Sequence, residues 1–92
     1  MANEELIRSI DDLLSYVESA ADVEAASGPT WLADLSASGV SQLRLLRETA
    51  ASGAFEASPG FDVADLLGQS WVEVHSKVDP FVEAVNQAAR RS

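Results

Sequence analysis

Residues 62–90 read DVADLLGQSWVEVHSKVDPFVEAVNQAAR, and their apolar side chains recur three, four or seven positions apart. This spacing places the apolar side chains on one stripe of an α-helix. Asp62 is a typical N-cap residue, and Arg90 puts positive charge near the carbonyl groups of the last turn. The pattern therefore predicts a long helix over 62–90. Its stripe consists of Val63, Leu67, Trp71, Val74, Val78, Phe81, Val82 and Val85.

Pro80 interrupts this predicted helix, and Gly68 lies within it. Pro80 lacks a backbone N–H and disturbs the preceding turn, so it must kink or end a helix. Because the stripe continues past Pro80, we expect one helix that is kinked there. The alternative is a fresh helix capped by Asp79, with Pro80 in its first position. Gly68 costs about 1 kcal/mol relative to alanine inside a helix. Close approach of a second helix would explain it, and the alternative is a neutral glycine without a structural role.

Residues 3–26 form the second long amphipathic pattern. Their apolar stripe ends at Ser27-Gly28-Pro29, a sequence that stops a helix. The stripe is formed by Leu6, Ile10, Leu13, Leu14, Val17 and Ala21.

The middle of the chain indicates shorter elements. A short helix over about 29–38 is followed by another that runs to about residue 52, or one helix is broken at Gly39. Residues 53–60 contain two glycines and a proline and are expected to form a loop. Phe55 and Phe61 bracket that loop and are expected to pack back onto the core. The fold class is therefore all-α: a single domain, 1–92, forming a small bundle of two long helices with one or two shorter helices between them.

The composition excludes several functional classes. The chain has 92 residues, no cysteine and a formal net charge of −9. The negative charge disfavours nucleic acids and anionic membrane surfaces as partners. Thiolate metal sites and disulfides require cysteine, and no apolar run reaches the roughly 18 residues of a transmembrane helix. The start of the chain does not resemble a signal peptide, so we expect a cytoplasmic protein.

Residues with catalytic potential are few. His75 is the only histidine, and it is expected at the edge of the apolar stripe with one nitrogen in water. Glu18 and Asp22, four residues apart, could meet one metal ion, but a solvated helix face is the simpler interpretation. We therefore expect no enzyme, no cofactor and no metal site. An enzyme or metal-dependent protein based on His75 or these carboxylates is a minor alternative.

Apolar residues that the two stripes do not absorb suggest protein binding. Leu45 and Val72 are expected to point away from the core, and Phe55 lies in the loop. Trp31 and Trp71 are expected first as core anchors, although tryptophan is also enriched at binding hot spots. The leading hypothesis is a non-enzymatic interaction module, either a homodimer or an accessory subunit. Its candidate contact residues are Trp31, Leu45, Phe55 and Val72.

The acidic residues of the first helix support an alternative function. Successive members of the set are four or seven residues apart along one side of the helix, and seven residues span about 10 Å. Such a face could steer the chain onto a basic toxin or nuclease, so the alternative is an acidic inhibitor with a basic protein partner. The face consists of Glu4, Asp11, Glu18 and Asp22.

Overall fold

A computed structural model describes residues 4–56 and 58–91, and it confirms an all-α fold. Two long helices come first, and the remainder is divided into short helices and one terminal helix. Over the described residues the helices are α1 (Glu4–Ser27), α2 (Thr30–Ala51), α3 (Val63–Leu67), α4 (Gln69–Val74) and α5 (Asp79–Arg91), with a 3-10 turn at Ser76–Val78.

α1 and α2 form an antiparallel hairpin. Side-chain contacts join Glu24 to Ser36 near the connection and Asp11 to Arg47 near the other end. The predicted stripe of α1 lies at the centre of the core, where Leu6, Leu13 and other members of the stripe are fully buried. α1 also packs against α5, so it contacts both of its long neighbours. The bounds agree with the prediction, although residue 3 lies outside the described part of the chain.

α2 is a single unbroken helix, so the prediction of two shorter helices around Gly39 was wrong. Gly39 is buried inside this helix. A Cβ added there would lie 3.0 Å from the Cδ2 of Leu67 and 3.5 Å from the Cγ1 of Val17. Its role is therefore the close approach of neighbouring elements, which the sequence pattern does not distinguish from a helix end.

The segment 62–90 is not one helix kinked at Pro80, so this prediction was also wrong. Gly68 has a φ of 95° and separates α3 from α4, and His75 ends α4 with φ −107° and ψ 63°. A new α-helix begins at Asp79 with Pro80 in its first turn, close to the alternative interpretation. The second long helix of the bundle is consequently α2. The positive φ of Gly68 accounts for the glycine, which the uninterrupted apolar period conceals.

The N-cap of α3 is formed as expected. The side chain of Asp62 accepts a hydrogen bond from the backbone N–H of Ala64 at 3.0 Å. Asn86 of α5 adds to this cap, because its Oδ1 accepts from the N–H of Val63 and its Nδ2 donates to Asp62, both at 2.9 Å. The cap therefore fastens the start of α3 to α5.

Most of the predicted 62–90 stripe is buried despite the breaks, including Trp71 and Val85. Phe81 is half-buried, and Val74 is 54% exposed because α4 ends directly after it and the helical period restarts. Phe55 and Phe61 are half-buried and pack against the core, with their ring centroids 5.6 Å apart. No helix among the described residues is long and apolar enough to cross a membrane.

Candidate functional site

A chain of buried polar side chains connects α2, α1 and the end of α4. The indole N–H of Trp71 donates to the Oγ of Ser36 at 2.6 Å. The hydroxyl of Ser36 donates to the Oε2 of Glu24, and the Oε1 of Glu24 contacts the Nε2 of His75. The Glu24 side chain is only 6% exposed, so this carboxylate depends on its two partners for hydrogen bonding.

The chemistry of these groups fixes the direction of each hydrogen bond. An indole nitrogen can only donate, so Ser36 accepts from Trp71 and its own proton is directed at Glu24. A carboxylate can only accept, so the proton shared with His75 belongs to Nε2. In the neutral ring the second nitrogen, Nδ1, then carries a lone pair. The polar chain thus selects one tautomer of the histidine.

His75 and Glu24 lie at an open surface depression of about 300 Å³ between α1 and the end of α4. Tyr16 forms part of its wall and meets the rings of Trp71 and His75 edge-on, each with a centroid distance of 6.3 Å. The complete lining is Tyr16, Ser19, Ala20, Val23, Glu24 and His75. The lining is mostly apolar, as in ligand pockets.

The Nδ1 of His75 is not fully enclosed by the protein. Every buried side-chain nitrogen or oxygen in residues 4–56 and 58–91 has a hydrogen-bond partner. Within that part of the chain the only hydrogen bond of the His75 ring is made through Nε2. The sequence-based expectation of one nitrogen in water therefore agrees with the structure. The partner Glu24 was missed, although it lies seven residues after Val17 and so continues the buried stripe of α1.

The depression contains the three residue types of a hydrolase triad, namely Ser19, His75 and Glu24. Their geometry does not support a triad. Ser19 makes no hydrogen bond to His75 in the described part of the chain. It also lies in the middle of α1, where neighbouring backbone N–H groups already donate within the helix and cannot stabilise an oxyanion. Among the described residues no group of three or more histidine, aspartate or glutamate side chains is placed to hold a metal ion.

The predicted contact residues fall into two groups. Trp31 and Leu45 are 53% and 58% exposed, so the expectation of a core role for Trp31 was wrong and that for Trp71 was right. Phe55 is half-buried against Phe61. Val72 is also half-buried against the core, so the expectation that it points away from the core was wrong. The reason is the break at Gly68, which turns α4 relative to the period of α3.

Two further exposed apolar residues were missed. Val23 is 64% exposed on α1, and Val74 is 54% exposed on α4. Val23 lines the depression, and Val74 directly precedes His75. Val74 could not have been found from the sequence, because it fits the buried stripe.

Arginines of α2 partly neutralise the predicted acidic face. Asp11 contacts Arg47 at 2.5 Å, and Glu18 contacts Arg44 at 3.2 Å. The hydrogen bond to Asp11 and then the negative charge of its carboxylate raise the pKa of Arg47 above its ordinary value. Glu4 and Asp22 are exposed and have no ion pair among the described residues. Half of the predicted face is thus already occupied by partners from the same chain.

No protein-family model, no curated protein and no solved structure matches this chain.

Proposed function

We propose that this chain is a non-enzymatic helical interaction module that binds a second copy or another protein through the outer face of α2. The observation that supports this function is the exposure of two large apolar side chains, Trp31 and Leu45, on one helix. Both are more than half exposed, although the chain has a well-formed core in which equally apolar residues are fully buried.

The spacing of these two residues favours a shared interface. They are fourteen positions apart, close to four helical turns, so they lie on the same side of α2 about 21 Å apart. The positions between them on this side are polar, including Asp34 and Ser38. Tryptophan is enriched at binding hot spots, so Trp31 is the expected centre of the contact.

Light scattering behind a sizing column tests self-association, with the protein at two concentrations and two salt concentrations. We expect a dimer that persists at high salt, and we expect Trp31→Ser and Leu45→Ser each to shift the equilibrium toward monomer. Val74→Ser is the matched control, because it removes a similarly exposed apolar side chain from α4. Equal association of all four proteins would contradict the proposed interface.

A monomer at both concentrations would leave a separate protein as the partner. In that case we expect a pull-down from the native source to recover a protein that Val74→Ser retains and the double variant Trp31→Ser, Leu45→Ser loses. Retention by both variants would refute a contact through α2.

The acidic inhibitor remains the second proposal, supported by the net charge of −9. Its predicted face on α1 is weakened by Arg44 and Arg47, which hold two of its four carboxylates. If a basic partner docks there, Arg44→Gln and Arg47→Gln should strengthen binding, and added salt should weaken it steeply. Salt-insensitive binding would exclude this mode.

A further inference from the structure

We infer that the outer face of α2 binds a basic amphipathic helix of a partner protein, which rests on the function proposed for that face. Three features of α2 specify this partner: the linear arrangement of its exposed residues, the carboxylates among them, and the ion pairs that hold both of its arginines against α1.

The exposed residues form two nearly straight rows along α2. Residues seven apart lie on the same side of a helix, shifted by only about 20°. All members of the two rows are exposed, and each member of the second row lies three residues after one of the first, so the rows are adjacent. The apolar row consists of Trp31, Ser38 and Leu45, and the acidic row consists of Asp34, Ser41 and Glu48.

The spacing within the rows favours a helix as the occupant. A seven-residue repeat keeps contact positions turned toward one partner helix along its length. Trp31 and Leu45 stand about 21 Å apart at the two ends of the apolar row. Ser38 between them is small, so the backbone of a second helix can approach closely there. A helix that lies along α2 therefore contacts both large apolar side chains at once.

The acidic row determines the charge of that helix. Asp34 and Glu48 make no ion pair within residues 4–56 and 58–91. The basic residues of α2 do not balance them, because Arg44 and Arg47 are paired with carboxylates of α1. A partner with lysine or arginine beside its apolar residues complements this row. A second copy brings another acidic row and a further net charge of −9, so it is the weaker occupant.

Two alanine-based helical peptides test the charge of the partner. Each has about 22 residues, which spans the distance between Trp31 and Leu45 with a turn to spare at each end. Leucines at seven-residue intervals form one stripe, and the positions beside it are lysine in one peptide and glutamate in the other. In two-dimensional NMR titrations of the full chain, the lysine peptide should shift the signals of Trp31, Ser38 and Leu45 in a saturable manner. We expect it to bind about tenfold more tightly than the glutamate peptide, by a margin that shrinks with added salt.

Two double variants with the same change in net charge locate the effect. Asp34→Asn with Glu48→Gln should weaken binding of the lysine peptide about three- to tenfold, the contribution of two exposed ion pairs. The control, Glu4→Gln with Asp22→Asn, removes two exposed carboxylates from α1 instead. It should change the affinity by less than about twofold, because salt screens distant charges.

Several outcomes would overturn the inference. These are equal affinities for the two peptides, equal weakening by the two double variants, or a second copy that binds more tightly than the lysine peptide. The proposed function is tested separately by Trp31→Ser with Leu45→Ser, which removes the apolar row and leaves the carboxylates in place. If that variant loses both peptides while Asp34→Asn with Glu48→Gln keeps them unchanged, the interface stands and its partner is not basic.

Discussion

Ser36→Ala should be among the most destabilising single-atom deletions in this protein. The hydroxyl is fully buried and serves as acceptor for Trp71 and donor for Glu24. Its removal leaves the buried indole N–H without an acceptor, at about 1–3 kcal/mol, and withdraws one hydrogen bond from a buried carboxylate, at about 1.5–3 kcal/mol. Because both losses share one site, we expect a total of about 2–4 kcal/mol.

This loss is large relative to the stability of a chain of 92 residues, for which roughly 5–14 kcal/mol is usual. Urea unfolding followed by circular dichroism should show a midpoint lowered by about 1–2 M. Ser38→Ala is the matched control, since Ser38 lies on the same helix and is exposed. We expect the control to change the free energy of unfolding by less than about 0.5 kcal/mol.

A double-mutant cycle with Trp71→Phe separates the contributions. Phenylalanine has no N–H, so Ser36→Ala made in that background no longer leaves an unpartnered donor. We expect its effect there to be smaller by about 1 kcal/mol or more. A Ser36→Ala effect below about 0.5 kcal/mol, or an equal effect in both backgrounds, would refute the polar chain as described.

Three other predictions concern the break at Gly68, the N-cap of α3 and the tautomer of His75. Gly68→Ala should lower the free energy of unfolding in urea by about 1–2 kcal/mol, because the φ of 95° at this position is unfavourable for any residue with a Cβ. The control Ser70→Ala should be near neutral. Equal effects of the two variants would argue against the positive φ. Asn86→Ala should lower the free energy of unfolding by about 1–2 kcal/mol and accelerate amide exchange at Val63. The loss should be smaller when Asp62 is already alanine. Strictly additive effects of the two substitutions would contradict a shared cap. Nitrogen-15 NMR of the neutral His75 ring should show the Nε2–H tautomer, and the Nδ1–H form would contradict the proton assignment.

The spacing of apolar residues was sufficient to predict a helix where one side of it faces the core along its whole length. α1 could be predicted with nearly its true bounds, because one stripe faces the core throughout. Helical periodicity alone gave the wrong structure at two glycines, Gly39 and Gly68. Gly39 lies inside α2, where Leu67 packs closely against it, whereas Gly68 takes a positive φ and ends α3. Only the packing partners distinguish these two roles.

The candidate site was less predictable than the fold. His75 could be placed at a core boundary, but its partner Glu24 is 51 residues distant in the chain. Their contact depends on how the segment after Gly68 returns to α1, and helical periodicity carries no information on that route. Trp31 illustrates the same limit, because composition favours burial while its place on the outer face of α2 leaves it in solvent, next to the buried Leu32.

The chain of buried polar side chains also affects how α1 and α2 are aligned along each other. A shift of α2 along α1 by one turn, about 5.4 Å, would keep the two helices side by side but change which side chains face each other. Such a shift would separate Glu24 from Ser36 and leave a carboxylate enclosed without its donor. The buried serine therefore acts as a positional key that favours one alignment of the hairpin, together with the close approach of Gly39 to Val17.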